Sequence, residues 1–169
     1  MDELFLLPSA PVAMPRAYWE GEYFLTSLLL VIEPSEAEWK RVEYAMEHHE
    51  VNDYDMDVLN KEYGQSAIVI PHRKYSLLTR EFRSDKHESY LGNKYEKWDP
   101  KKILEEAKFI HFSDWPLPKP WLMPEAMDTT LEANQPKCKG FKGFDYDYSD
   151  REVWFGIYKD FRERRQVRS

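Results

Sequence analysis

Eleven residues, Tyr23 to Glu33 (YFLTSLLLVIE), set the strongest limit on what this chain can fold into. The run is apolar apart from Thr26, Ser27 and its final glutamate, and Pro34 stops it. Apolar sequence without polar alternation reads as a strand buried on both faces, as in a parallel or mixed α/β sheet. The run is too short to cross a bilayer, so no membrane segment is expected. Ser35 then offers a helix cap, and Glu38, three residues on, completes a capping box. The predicted helix reaches about His49, with Trp39, Val42, Ala45 and Met46 as its buried stripe.

The same logic places the other elements. Leu4 to Leu7 is an apolar burst, and Pro8, Pro11 and Pro15 make the following stretch an irregular segment that lies against something. A short helix contains Met56, Leu59, Asn60 and Tyr63, with Gly64 as its C-cap. Ala67 to Ile70 reads as a strand ended by Pro71. Residues 72–96 have weak periodicity and read as loop, with a short helix near Ser76 to Phe82. Asp99 caps a further helix that begins with Pro100 and runs to about Ala107. Phe109 to Phe112 returns to the sheet. Leu122 to Tyr148 reads as irregular, and Ser149 to Arg165 as an amphipathic helix with Val153, Trp154, Ile157, Tyr158 and Phe161 on one side.

The chain has 169 residues, enough for one domain with a sizeable core. Its 24 Lys and Arg against 31 Asp and Glu give a net charge of −7, which excludes a general nucleic-acid binder. A lone cysteine, Cys138, offers neither an internal disulfide nor a zinc knuckle. The N-terminus carries no basic segment of the kind that opens a signal peptide.

Chemistry concentrates in FIHFSDWPLPKPW, Phe109 to Trp121. Pro116, Pro118 and Pro120 exclude helix, so His111 and Lys119 are presented from a rigid extended loop suited to a phosphate-bearing ligand. Polar groups fall after strand ends, where ligands of open α/β sheets bind. They are His111 with Asp114, Thr26 with Ser27, and the cluster Asp53, Asp55 and Asp57. A histidine with aspartates suits Mn²⁺ or Mg²⁺. From spacing alone a lone histidine at a strand edge such as His111 is more often structural. His72, after Pro71, could face a cleft or sit in a loop, and Asp114 could line a cleft or cap a turn. Trp115 and Trp121 could stack on a sugar or base, or pack the loop onto the sheet.

Three segments carry a resemblance. LTSLLLVIEPS (Leu25 to Ser35), NDYDMDVLN (Asn52 to Asn60) and HFSDWPLPKPW (His111 to Trp121) resemble, in order and spacing, motifs of the C-terminal half of family 8 retaining glycosyltransferases. The likeness is greatest to the fungal N-acetylglucosaminyltransferase and galactinol synthase-like branch of these glycogenin-like enzymes. It implies a partial GT-A fold lacking the N-terminal nucleotide-binding βαβ half. Residues 1–121 would form the acceptor-side half and closing loop, and 122–169 an irregular segment plus C-terminal helix of the same domain.

The resemblance further implies transfer of GlcNAc or glucose from a UDP-sugar donor to a glycan acceptor, with Mn²⁺ as cofactor and Golgi residence for the full-length family. Carried over, His111 becomes the metal ligand, Lys119 the diphosphate contact, and Asp55 the catalytic group beside the reacting sugar. Thr26, Ser27, Asp114 and His72 line the substrate pocket. Leu28 and Met56 stand where the family has Gly and Gln. No D-x-D motif follows an apolar strand: Asp53-Tyr54-Asp55 follows a helix, and Asp145-Tyr146-Asp147 reads as a solvated turn. The chain alone is therefore expected to hold Mn²⁺ weakly and to be inactive. The alternative is a non-catalytic protein that binds glycan or pairs with a homologue through an exposed sheet edge. A chain without signal or anchor would be cytoplasmic or of unassigned location.

Overall fold

The structure, a computed structural model, describes residues 1–123, 127–142 and 145–166, with backbone alone at 127, 140–142, 145 and 166. The chain divides into two compact units, Met1–Ser76 and Leu77–Ser169.

The N-terminal unit opens with a 3-10 turn, Asp2–Leu6, followed by β1 (Val12–Pro15), β2 (Val31–Ile32), α1 (Glu36–Glu47), α2 (Asp55–Tyr63), β3 (Ile68–Ile70) and α3 (His72–Tyr75). β1 is the central strand of a three-stranded mixed sheet, antiparallel to β2 and parallel to β3. Ala13 pairs with both Val31 and Ile68. Successive strand residues face opposite sides of a sheet. Ala13 accordingly joins Leu4, Ile70 and Tyr75 in one core cluster, while Val12 and Met14 join Leu25 and Tyr63 in another.

β1 lies in the proline-rich segment expected to be irregular. Its prolines do not break pairing because their carbonyls serve it: Pro15 O accepts from Thr26 N at 2.8 Å, and Pro11 O from Glu33 N at 3.2 Å. The expected long strand at Tyr23 to Glu33 shrinks to Val31–Ile32 plus a single bridge between Leu25 and Arg16. Side chains have taken the backbone groups that a longer ladder would use. Asn60 Oδ1 accepts from Leu25 N at 2.8 Å, Asn60 Nδ2 donates to Leu25 O at 2.7 Å, and Thr26 Oγ1 accepts from Leu28 N at 3.2 Å.

Helix α1 begins at its predicted cap, where Ser35 Oγ accepts from Glu38 N. Its expected buried stripe is not buried: Trp39 is 64% exposed and Met46 50%. Val42 and Ala45 are half-buried. The helix is held to α2 by polar contacts instead. Tyr63 donates its hydroxyl to Glu38 Oε2 at 2.8 Å, and Arg41 Nε donates to Glu62 Oε2 at 2.9 Å. Gly64 closes α2 as expected, in right-handed helical geometry.

The C-terminal unit runs β4 (Leu77–Leu78), a 3-10 turn at Thr79–Arg83, α4 (Glu88–Leu91), α5 (Pro100–Glu106), β5 (Ile110–His111), a 3-10 turn at Pro120–Leu122, α6 (Met127–Asn134), β6 (Lys139–Lys142), β7 (Asp145–Asp147) and α7 (Ser149–Gln166). β4 and β5 pair in parallel, and β6 and β7 form an antiparallel hairpin. Asp99 caps α5 as predicted, accepting from Lys101 N and Lys102 N at 3.1 Å. In α7, Val153, Trp154, Ile157 and Tyr158 are buried, as its spacing predicts. The segments read as loop, residues 72–96 and 122–148, contain α3, β4, α4, α6 and the hairpin. Each is only two to eight residues long, too short to imprint a period.

The partial GT-A expectation is corrected here. That fold needs one extended sheet, whereas the described strands, two to four residues each, form three separate sheets: one mixed, one parallel pair and one hairpin.

Candidate functional site

Two polar clusters collect the residues singled out in the sequence, one in each unit. In the N-terminal unit Ser27 Oγ donates to Asp55 Oδ2 at 2.6 Å, bringing residues 28 positions apart to one exposed point. Asp55 is the first residue of α2. The other aspartates of that cluster have structural partners. Asp57 Oδ2 accepts from Tyr54 N at 2.9 Å, closing the helix start. Asp53 accepts from Lys61 Nζ at 2.7 Å and Glu50 N at 2.9 Å, and the Lys61 bond holds its carboxyl below the usual carboxylate range.

Thr26 is fully buried, its hydroxyl 3.9 Å from Met56 Sδ. His72 begins α3, half-buried, with its ring 5.2 Å from that of Tyr18. An exposed serine–carboxylate pair beside a helix start can hydrogen-bond the hydroxyls of a polar ligand. Asp55 can also accept a proton.

In the C-terminal unit His111 ends β5 and Lys119 precedes the 3-10 turn at Pro120–Leu122. The loop between them contains a cis peptide at Trp115–Pro116. Lys119 Nζ lies 3.3 Å from His111 Nε2 and donates to Phe112 O. Burial, reinforced by the Lys119 charge, pushes the His111 imidazole below its ordinary value, so the ring is held neutral. A neutral imidazole can accept a proton, and the neighbouring ammonium can stabilise an anion.

Asp114, in the same loop, is buried at 3% exposure. Its Oδ2 accepts from Trp154 Nε1 at 3.0 Å and Tyr158 OH at 2.8 Å, and its Oδ1 stands 3.5 Å from Arg83 Nη1. Burial first, and the Asp114 charge second, push the Tyr158 hydroxyl strongly upward. Trp115 is 88% exposed, while Trp121 leans on Phe161 at 6.1 Å. Asp145 of the Asp145-Tyr146-Asp147 triplet has its side chain outside the described residues.

Sequence reasoning missed Asn60 as the residue that fixes Leu25, having placed it only as a helix member. It also missed a network of the buried Glu81, His87 and Asp150 with the half-buried Lys139, whose members are scattered over 70 positions without a spacing signal.

The metal expectation is corrected. Among the described residues no three His, Cys, Asp or Glu side chains converge to hold an ion. The group facing His111 Nε2 is itself a cation, which opposes Mn²⁺ at that nitrogen. No helix among the described residues is long and apolar enough to cross a membrane.

The chain is similar to proteins named glucose N-acetyltransferase 1. It is 49% identical to the one from Aspergillus fumigatus over 181 aligned positions, which cover 99% of this chain and 47% of that protein. To the one from Gibberella zeae it is 47% identical, covering 98% of this chain and 37% of that protein. To the Saccharomyces cerevisiae protein it is 24% identical over 87% of this chain. The chain thus spans less than half the length of the curated relatives it matches. No family model and no solved structure matches it.

The name these relatives carry is that of an acetyltransferase, and on it the family 8 glycosyltransferase expectation is corrected. The UDP-sugar donor, the glycan acceptor, hexosyl transfer and Golgi residence were implied by that resemblance alone and are withdrawn with it.

Proposed function

We propose that this chain is part of a carbohydrate-directed acetyltransferase, the activity its relatives' name describes. The observation that carries the reading is 49% identity across 99% of the chain to a protein so named. Because the matched part is under half of that protein, the activity belongs to the whole polypeptide.

N-acetylation needs an amino nitrogen, so the acceptor class is an amino-bearing sugar of the glucose type. The nitrogen lone pair attacks an activated acetyl carbonyl, an oxyanion forms, the leaving group departs, and the nitrogen sheds a proton. In the C-terminal unit, His111 Nε2 faces Lys119 Nζ at 3.3 Å and is suited to hold that ammonium in place, while the departing group takes the proton. Lys119, at its side, is suited to stabilise negative charge on the donor or the oxyanion. Independently, in the N-terminal unit the exposed Ser27–Asp55 pair offers acceptor oxygens for the hydroxyls of a polar ligand. These roles rest on local chemistry within each unit.

The test supplies full-length protein with an isotopically labelled acetyl thioester and an amino sugar, then reads the mass gained by the acceptor. A gain of one acetyl group, lost in His111→Ala and Lys119→Met, is expected. A gain of a whole sugar residue from some other donor, or no labelled product, overturns the reading.

A further inference from the structure

Three charged side chains, a histidine and one indole form a closed network inside the C-terminal unit that the proposed chemistry does not use. Glu81, from the 3-10 turn, His87, which precedes α4, and Asp150, in the first turn of α7, are all buried. His87 Nδ1 lies 2.9 Å from Glu81 Oε1, and its Nε2 lies 2.8 Å from Lys139 Nζ, at the start of β6. Lys139 Nζ is also 2.9 Å from Asp150 Oδ2, whose Oδ1 accepts from Trp98 Nε1 at 2.6 Å. The Trp98 ring stacks on His87 with centroids 3.9 Å apart and planes 8° from parallel.

These partners assign the tautomer. Glu81 can only accept, so Nδ1 carries the proton; Lys139 can only donate, so Nε2 presents its lone pair. Among the described residues, Glu81 faces the ring from one side and Lys139 from the other, with Asp150 behind the ammonium.

We propose that this network is an acid-sensitive latch that fastens the β6–β7 hairpin through Lys139. A proton added to His87 goes to Nε2, the only ring nitrogen free to take it. Nε2–H then faces an ammonium that has no acceptor to offer, and the 2.8 Å contact opens. The ring itself stays, because its pairing with Glu81 strengthens with the new charge and the Trp98 face favours a cation. Lys139 is therefore the group that moves. It keeps Asp150 and loses His87, and the hairpin loosens with it.

The test is amide hydrogen exchange of the 169-residue chain, corrected for intrinsic rate, between about pH 7.5 and about pH 5.5. The amides of 139–142 and 145–147 are expected to lose roughly tenfold in protection on acidification. His87→Gln keeps a donor for Glu81 and an acceptor for Lys139 without titrating, so that loss should vanish. Unchanged protection in the parent chain, or the same loss in H87Q, overturns the latch. If H87Q does not fold, imidazole nitrogen shifts in the parent chain decide. A midpoint for Nε2 protonation that matches the hairpin amides supports the latch, and one that differs overturns it.

Discussion

Tyr158 donates its hydroxyl hydrogen to Asp114 Oδ2 at 2.8 Å in the interior of the C-terminal unit, across 44 positions of sequence. Trp154 reaches the same oxygen from one helical turn earlier, so a single carboxylate anchors the buried face of α7 to the proline loop. Replacing Asp114 with Ala takes an acceptor from an indole N–H and from a phenol that keeps only Thr79, and removes the carboxylate beside Arg83. The expected loss is about 3 kcal/mol, read as a lower urea midpoint at unchanged slope. Tyr158→Phe removes the hydroxyl's bonds to Asp114 and Thr79 and should cost about 2 kcal/mol. A D114A chain as stable as the parent would contradict the anchor.

Asn60 holds both backbone groups of the fully buried Leu25. Asn60→Leu fills similar volume but leaves a buried N–H and a buried carbonyl without partners. A loss of about 2 kcal/mol is expected in chemical denaturation. Asn60→Asp retains the acceptor for Leu25 N but sets a carboxylate oxygen against the carbonyls of Leu25 and Met56, so it should recover none of that loss.

The depressed His111 imidazole has a signed consequence for stability. Its folded pKa lies below its unfolded one, so at intermediate pH the unfolded chain binds more protons. The stability tied to this group is fully present above the unfolded value of about 6.5, and falls as the pH drops below it. Lys119→Met removes the cationic part of the cause while leaving burial in place. Its His111 pKa, followed by imidazole nuclear magnetic resonance, should move upward. A downward or absent shift would show that the ammonium does not act on the ring.

On the N-terminal unit Trp39, Val42, Leu30, Ile32 and Leu59 line an apolar cavity of about 390 Å³ beside α1. A fluorescent apolar dye should bind the chain there. Trp39→Lys should abolish that binding while changing stability by no more than about 0.5 kcal/mol, because the ring is mostly in water. A large loss of stability would mean that the indole packs against the body of the unit.

Several elements are legible in the amino-acid order. Ser35 and Asp99 announce their helices because an N-cap is a local device: a side-chain oxygen and a backbone N–H two or three residues away. The stripe of α7 is legible because five apolar residues at helical spacing need no distant partner to define a face. β1 is not legible, since its prolines argue against a strand unless their carbonyls find donors, and those donors sit at Thr26 and Glu33. The long strand expected at Tyr23 to Glu33 fails for the reverse reason. Its apolar composition is genuine, but Asn60 claims the backbone of Leu25.

The candidate residues divide in the same way. Ser27 and Asp55 do meet, as do His111 and Lys119. Asp114, from the same motif, turns inward to Trp154 and Tyr158. A motif specifies which groups a loop carries, whereas the direction each side chain takes depends on what packs against the loop. The amino-acid order alone determined the starts of α1, α5 and α7, the face of α7 and the chemical kinds of group available. Tertiary structure decided the pairing of β1, the inward turn of Asp114 and the joining of Glu81, His87, Lys139 and Asp150. Those outcomes depend on donors and acceptors far apart in the chain, and only folding sets the distance between them.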